Sequence, residues 1–397
     1  MGREARVIRR SEAAGLRVPH VLVDSDDPDL WGSAGMVMGR IDGETLGRRI
    51  LRDAEYADAR GVLAEQCAEF LAGLHAIDPD EVGDLPGDDV LASFRERFDL
   101  LGEPSPVFEV AMRWLADDRP PSRRRAIVHG DFRLGNLIVG PDGLRAVLDW
   151  EVVHAGDPIE DLGWLCVRTW RFGGELPVGG FGTREQLTSA YQKAGGDPVD
   201  PEVLHWWEVL GTLRWGLGTI GQAQVHLTGA VRSVELAAIG RRTAEQEWDL
   251  LLLLTPDAVA AHGGERPSPQ PVPADAGLHG RPTVAELLEA VREFLHDDAM
   301  PNTTGRLSFH ARVAGNVVAI IERELALGPS AERRAADLAT LGVSSEGELA
   351  DAIRTGAVDY RSDQLHAVLV RGVAEKLAVA NPRYFGTIGK TEEQAHA

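Results

Sequence analysis

At 397 residues, 44% of them hydrophobic, the chain is long enough for two or three domains and a sizeable core. Its net charge of -21 at pH 7 argues against nucleic acid and anionic membranes as partners and favours a cationic small-molecule acceptor. Nothing reads as a signal peptide, the apolar run at residues 250–254 is far too short to cross a bilayer, and Cys67 and Cys166 read as buried thiols of a cytoplasmic protein.

Taken in chain order, residues 3–14 read as a helix with Glu4 near its start, residues 18–23 as a strand, and residues 35–43 as a second strand and linker. Residues 54–77 place Leu63, Cys67, Phe70, Leu71 and Leu74 on one helix face, with His75 beside that stripe as a helix-end packing residue. Residues 94–115 supply further helix, closed by Pro120-Pro121. The basic run at residues 123–125 reads as a solvated loop leading into a strand.

The segment that follows carries the chemistry. A short strand, residues 126–128, leads into His129-Gly130-Asp131-Phe132-Arg133-Leu134-Gly135-Asn136. A second apolar strand, residues 137–139, ends in the turn Gly140-Pro141-Asp142-Gly143, and residues 144–148 run back to Asp149. If the two strands pair, Asp131, Asn136 and Asp149 meet at one end of the hairpin. Such a grouping holds magnesium by oxygen ligands and keeps one carboxylate for the acceptor. A plain hairpin with polar turn residues explains Asp142 and Gly143 but leaves those three side chains as coincidences. In residues 154–162, Asp157 reads as an N-cap, Pro158 as a first helical residue and Glu160 as the partner of a capping box. Asp161 either supports the loop or faces solvent.

Residues 184–254 read as mostly helical, with Tyr191, Trp206, Trp207 and Trp215 as aromatic positions. Gly211, Gly216, Gly218 and Gly221 mark close helix packing or a substrate-facing gap. Residues 256–281, with Pro267, Pro269, Pro271 and Pro273, read as a linker. Beyond it, Leu287, Leu288, Val291, Phe294 and Leu295 mark one helix, residues 309–327 a second, residues 349–353 a short third and residues 365–380 a last one, ended by Asn381-Pro382. His310, Arg312 and Asn316 form an exposed polar face, and this bundle carries no catalytic constellation.

His-Gly-Asp with Asn five positions after the Asp resembles the aminoglycoside phosphotransferase family, whose catalytic loop is of the protein-kinase kind. The resemblance covers residues 1 to about 254. It implies an α+β, protein-kinase-like fold with a truncated N-terminal lobe and a helical C-lobe, followed by a separate all-α bundle. The boundaries that follow are 1–45 for the lobe remnant and hinge, 46–255 for the C-lobe, 256–281 for the linker, 282–386 for the bundle and 387–397 for a tail. It further implies that Asp131 is the base, that His129 supports the loop, that Asn136 and Asp149 are magnesium ligands, and that ATP is the co-substrate. Met36, Met38 and Arg40 fall on the hinge that meets the nucleotide, and Glu4 matches the Glu that pairs with a strand Lys. The region 184–254 would form the acceptor wall, and the bundle resembles an uncharacterised helical family attached to such enzymes.

The expected activity is therefore transfer of the γ-phosphate of ATP to a hydroxyl of a small molecule, aminoglycoside-like or a hydroxyacyl thioester, the latter because similar kinase domains are fused to acyl-CoA dehydrogenases. A phosphate-covering loop and a strand Lys would lie before residue 1. Either the true start is upstream, or this is a shortened, pseudokinase-like binding or scaffold protein whose bundle serves self-association or a protein partner. A metal-dependent hydrolase using His129, Asp131 and Asp149 is a third reading, weakened by the scarcity of His ligands.

Overall fold

The computed structural model describes residues 1–87, 89–121, 124–264, 279–327 and 330–387. It is an α+β chain that divides into two compact units. The first comprises the described residues of 1–90 and 118–212, and the second those of 91–117 and 213–387. The division falls at residues 212–213, inside the helix Pro201–Leu227, rather than at the Pro-rich stretch. Pro267, Pro269, Pro271 and Pro273 lie outside the described residues, as do Arg123 of the basic run and most of the expected tail. The start of the expected linker is helical, because Pro256 takes the first position of the helix Pro256–His262, where its missing N–H costs nothing.

The first unit contains three two-stranded antiparallel ribbons. β1 (Val21–Ser25) pairs with β2 (Gly35–Met38), β3 (Ala126–Val128) with β6 (His154–Gly156), and β4 (Leu137–Gly140) with β5 (Gly143–Val147). β1 begins at Val21, later than the sequence suggests, because Pro19 has no N–H to donate to a ladder. In the β4–β5 ribbon Gly140 pairs with Gly143, so Pro141-Asp142 is a two-residue turn, and Gly143 takes the φ of +118° that a side chain would resist. Leu137 pairs with Val147, and the Leu148 N–H donates to the Asn136 carbonyl at 2.8 Å. Asn136 and Asp149 therefore emerge at the open end of one ribbon.

The helix Ala57–His75 supplies the core of this unit. Leu63, Cys67, Phe70, Leu71 and Leu74 are all buried, as their spacing requires. Both cysteines are free, buried thiols, and burial pushes Cys67 up to about 12, which leaves it protonated and inert. Phe70 stacks on Phe132 at 5.7 Å between centroids and meets Trp150 at 6.3 Å. Burying Phe132 contributes about 2–3 kcal/mol and ties the residue after Asp131 to the unit's main helix.

The second unit is helical. The single helix expected over residues 94–115 is two, Val90–Leu101 and Pro106–Asp117, because Gly102 at φ +65° and the prolines at 104 and 106 interrupt it. Within it, Lys376 reaches Glu247 at 3.3 Å and Glu346 at 3.0 Å, and Ser105 donates to Glu247 at 2.7 Å. This satisfied network joins its helices. A capping box of Thr283 and Glu286 opens the helix Val284–Glu293. No helix among the described residues is long and apolar enough to cross a membrane.

Candidate active site

The loop between β3 and β4 is held from below by one buried carboxylate. Asp161, on the helix Ile159–Cys166, accepts the His129 N–H at 2.8 Å and the Gly130 N–H at 2.9 Å. His75 Nε2 donates to the same carboxylate at 3.2 Å, and His75 Nδ1 meets the Tyr191 hydroxyl at 2.8 Å. Asp161 thus supports the loop instead of facing solvent. Burial pushes its carboxyl up, but the His75 hydrogen bond and charge and the His129 N–H outweigh that and leave its pKa below the ordinary value. Gly130 is required where it stands. Its φ is +79°, and a Cβ would lie 2.8 Å from the Val152 carbonyl.

His129 is buried, and both ring nitrogens are committed. Nδ1 accepts the Asp131 N–H at 3.2 Å, which leaves the proton on Nε2 to donate to the Leu148 carbonyl at 3.0 Å. Burial lowers its pKa despite the nearby Asp161 and Asp131 charges, so the ring is neutral. Its bond to Leu148 links the loop to the strand end that precedes Asp149. With no lone pair to spare, His129 is a poor metal ligand, which removes the basis of the hydrolase reading.

Asp131 is the convergence point. Its Oδ1 accepts from Trp164 Nε1 at 2.9 Å, its Oδ2 from Asn136 Nδ2 at 2.7 Å, and Arg133 Nε stands 3.1 Å from both oxygens. Asn136 also donates to the Asp131 carbonyl at 2.9 Å. Trp164 is three residues after Asp161, so one face of one helix holds both the loop backbone and the loop carboxylate. Gly211 leaves room for the Trp164 ring, since a Cβ there would lie 3.1 Å from Cε3.

Asp149 is exposed and has φ +66°, unusual for a residue other than glycine. It lines a cavity of about 390 Å³ together with Glu4, Met36, Met38, Leu148 and Trp150. The structure therefore gathers Glu4, Met36 and Met38, of the expected nucleotide contacts, around Asp149. Arg40 does not join them: its guanidinium is 90% exposed and pairs with Asp42 at 3.3 Å, because the chain leaves the strand after Met38. In the segment expected to form the acceptor wall, Trp206 and Trp207 are core, and Trp207 packs against the backbone of Gly163.

Sequence reasoning missed Trp164, Arg133 and Tyr191 as site residues. Trp164 had a signal in its i+3 spacing from Asp161 and Arg133 in lying two residues after Asp131, whereas the Tyr191 contact depends on tertiary packing. Glu160 pairs with His154 Nε2 at 3.1 Å, and the Asp157 carboxylate accepts the Ile159 N–H at 2.9 Å. Residues 154–156, expected as loop, form β6.

Burial pulls His154 down, but the Glu160 charge and hydrogen bond and the Val152 carbonyl outweigh it and raise its pKa to about 9. A raised histidine pKa gives stability that is complete below the unfolded value, about 6.5, and lost as pH climbs through the folded one. Urea unfolding is therefore expected to show a loss of at most about 3 kcal/mol between roughly pH 6.5 and 9. In His154→Gln that portion of the pH dependence should vanish, and a wild-type profile in the variant would count against this pair.

The model of the phosphotransferase enzyme family matches residues 1–206, and a family described only as a domain of unknown function matches residues 301–384. Acyl-CoA dehydrogenase family member 11 of Gallus gallus is 32% identical over 177 residues, 41% of this chain but 22% of that protein. The chain thus spans about a fifth of that relative's length. Viomycin phosphotransferase of Streptomyces vinaceus is 29% identical over 194 residues, 44% of this chain and 66% of that one. A solved structure from Ralstonia eutropha, assigned as an aminoglycoside phosphotransferase, superposes with a TM-score of 0.52 at 21% identity, covering 63% of this chain and 82% of the other. That likeness establishes the fold as α+β and protein-kinase-like.

Proposed function

The chain belongs to the phosphotransferase enzyme family, and from that premise we propose that it transfers the γ-phosphoryl group of ATP to a hydroxyl of a small molecule. The observation that carries this reading is the Asp131 carboxylate, held by three donors beside the end of a ribbon whose other strand delivers Asp149 into a cavity. In this reading Asp131 accepts the hydrogen bond of the acceptor hydroxyl. The hydroxyl oxygen attacks the γ-phosphorus, its proton passes to the carboxylate, and ADP leaves. Positioning by a carboxylate of fixed rotamer supplies much of the rate.

The donor set suits magnesium. Asn136 spends its Nδ2 on Asp131, which leaves its amide oxygen as the donor for a cation, and Asp149 adds an exposed carboxylate. Bound there, magnesium would offset the charge of the phosphates. Met36 and Met38 would pack on the nucleotide base, while Glu4 lines the same cavity. His129 would act through the loop and not by titrating.

Two acceptor classes go with this reading: aminoglycoside-like compounds, and hydroxyacyl thioesters. A panel of both, assayed for transfer from γ-labelled ATP, separates them. The nucleotide half of the reading is tested by isothermal titration with ATP and magnesium. Asp149→Asn is expected to weaken magnesium-dependent binding by tenfold or more, about 1.4 kcal/mol, while magnesium-free binding stays the same. Equal affinity in wild type and variant would remove Asp149 from the site.

A further inference from the structure

We propose that the outer edge of Arg133, its Nη1 and Nη2 groups, is a preformed fork for phosphoryl or carboxylate oxygens beside the reacting hydroxyl. The proposal rests on the phosphotransferase reading and adds a catalytic residue to it. Arginine frequently meets a carboxylate with two nitrogens on two oxygens. Arg133 does not. A single nitrogen, Nε, stands 3.1 Å from both oxygens of Asp131, and among the described residues neither Nη has a hydrogen-bond partner.

The guanidinium is nevertheless fixed. It lies over the Trp170 ring with its carbon 4.8 Å from the centroid, and Trp170 in turn packs on Trp164 at 5.2 Å. Gly135 leaves room for the guanidinium, because a Cβ there would clash with Arg133 Nη1. The side chain retains 24% exposure, so it is held on the ring without being sealed from solvent. A cation held without its hydrogen-bonding capacity being used is what binding a transient oxyanion requires, because no reorganisation accompanies the reaction.

Two sources can supply those oxygens. One is the phosphoryl group during transfer, whose equatorial oxygens pass close to the Asp131 carboxylate as the acceptor oxygen bonds to phosphorus and the bond to ADP breaks. The other is an anionic substituent of the acceptor next to its hydroxyl. Either way, a polycationic acceptor would meet a guanidinium at the reacting carboxylate.

The test uses Arg133→Met and Arg133→Lys in the full chain. Isothermal titration compares MgATP with MgADP plus aluminium fluoride, a mimic of the phosphoryl group in transfer. If the fork serves that group, Arg133→Met weakens the fluoroaluminate complex by about 10²–10³-fold with MgATP affinity unchanged. Arg133→Lys, which keeps charge but not the fork, recovers only part of the loss. If it serves the acceptor, the fluoroaluminate complex is unaffected. The Michaelis constant for 3-hydroxybutyrate then rises in both variants while that for 1,3-butanediol does not. Wild-type behaviour of both variants in both assays would overturn the proposal while leaving the phosphotransferase reading in place. Wild-type protein that binds neither MgATP nor the fluoroaluminate complex would end both. An Arg133→Met variant that fails to fold leaves Arg133→Lys to decide.

Discussion

Asp131→Asn is expected to lower phosphoryl transfer by about 10²–10⁴-fold while leaving the melting temperature within a few degrees of wild type. The amide keeps the size of the side chain and one oxygen, so part of the cage from Trp164, Arg133 and Asn136 can still be satisfied. What it loses is the ability to take the acceptor's proton. Asp131→Ala should be equally inactive but less stable, because the loop loses the carboxylate that Trp164, Arg133 and Asn136 share, at a cost of about 1–3 kcal/mol. The pair of variants separates chemistry from folding. Counting label transferred from γ-labelled ATP, with thermal unfolding alongside, is sufficient, and turnover by Asp131→Asn at the wild-type rate would remove the base from the mechanism.

The second large effect is structural in origin. Asp161→Ala is expected to cost about 3–5 kcal/mol and to abolish activity through the loop. It strips the acceptor from the His129 and Gly130 N–H groups and from His75 Nε2, all at a site with no solvent exposure. Asp161→Asn keeps one oxygen and should cost about 1–3 kcal/mol. Because the folded pKa of Asp161 is depressed, its contribution is present above the unfolded value, about 3.9, and declines as pH falls through the lower folded one. The gap in urea stability between wild type and Asp161→Asn should therefore be full at pH 7 and narrow below about pH 4. A gap of constant size across that range would mean that Asp161 is not the ionised brace described above.

Local chemistry made part of this molecule readable. Pro141-Asp142 between two apolar runs fixes a turn, and the spacing of Leu63, Cys67, Phe70, Leu71 and Leu74 fixes a helix face; both are properties of neighbours in the chain. The loop residues Asp131 and Asn136 are likewise close in sequence, and their contact follows once β3 and β4 form. The cage around Asp131 was less legible. Trp164 is 33 residues from Asp131, and its indole finds the carboxylate only because Gly211 and Trp170 seat the ring. The Tyr191 link to His75 spans 116 residues and has no local signature. Trp206 and Trp207 are core, as a Trp within a helix usually is, and Trp207 packs against Gly163. Glu160 fits a capping pattern in the sequence, but its contact with His154, six residues earlier, has no such signature.

Residues 201–227 form one unbroken helix although four glycines fall within it, where propensity alone predicts weakness. Tertiary contact overrides propensity there. Gly211 meets the Trp164 and Val167 side chains, and in the second unit Gly216 meets the Phe108 ring, at distances that no Cβ could tolerate.

In the proposed reaction Asn136 and Asp149 share one divalent cation with a bound nucleotide. The most direct measurement is paramagnetic broadening of nuclear resonances by manganese in place of magnesium, recorded with ATP present. The side-chain amide of Asn136 and the backbone amides of Leu148 and Asp149 should broaden beyond detection at a sub-stoichiometric ion, and Asp149→Asn should restore them. Sharp signals from these groups, with broadening centred elsewhere on the chain, would contradict the account.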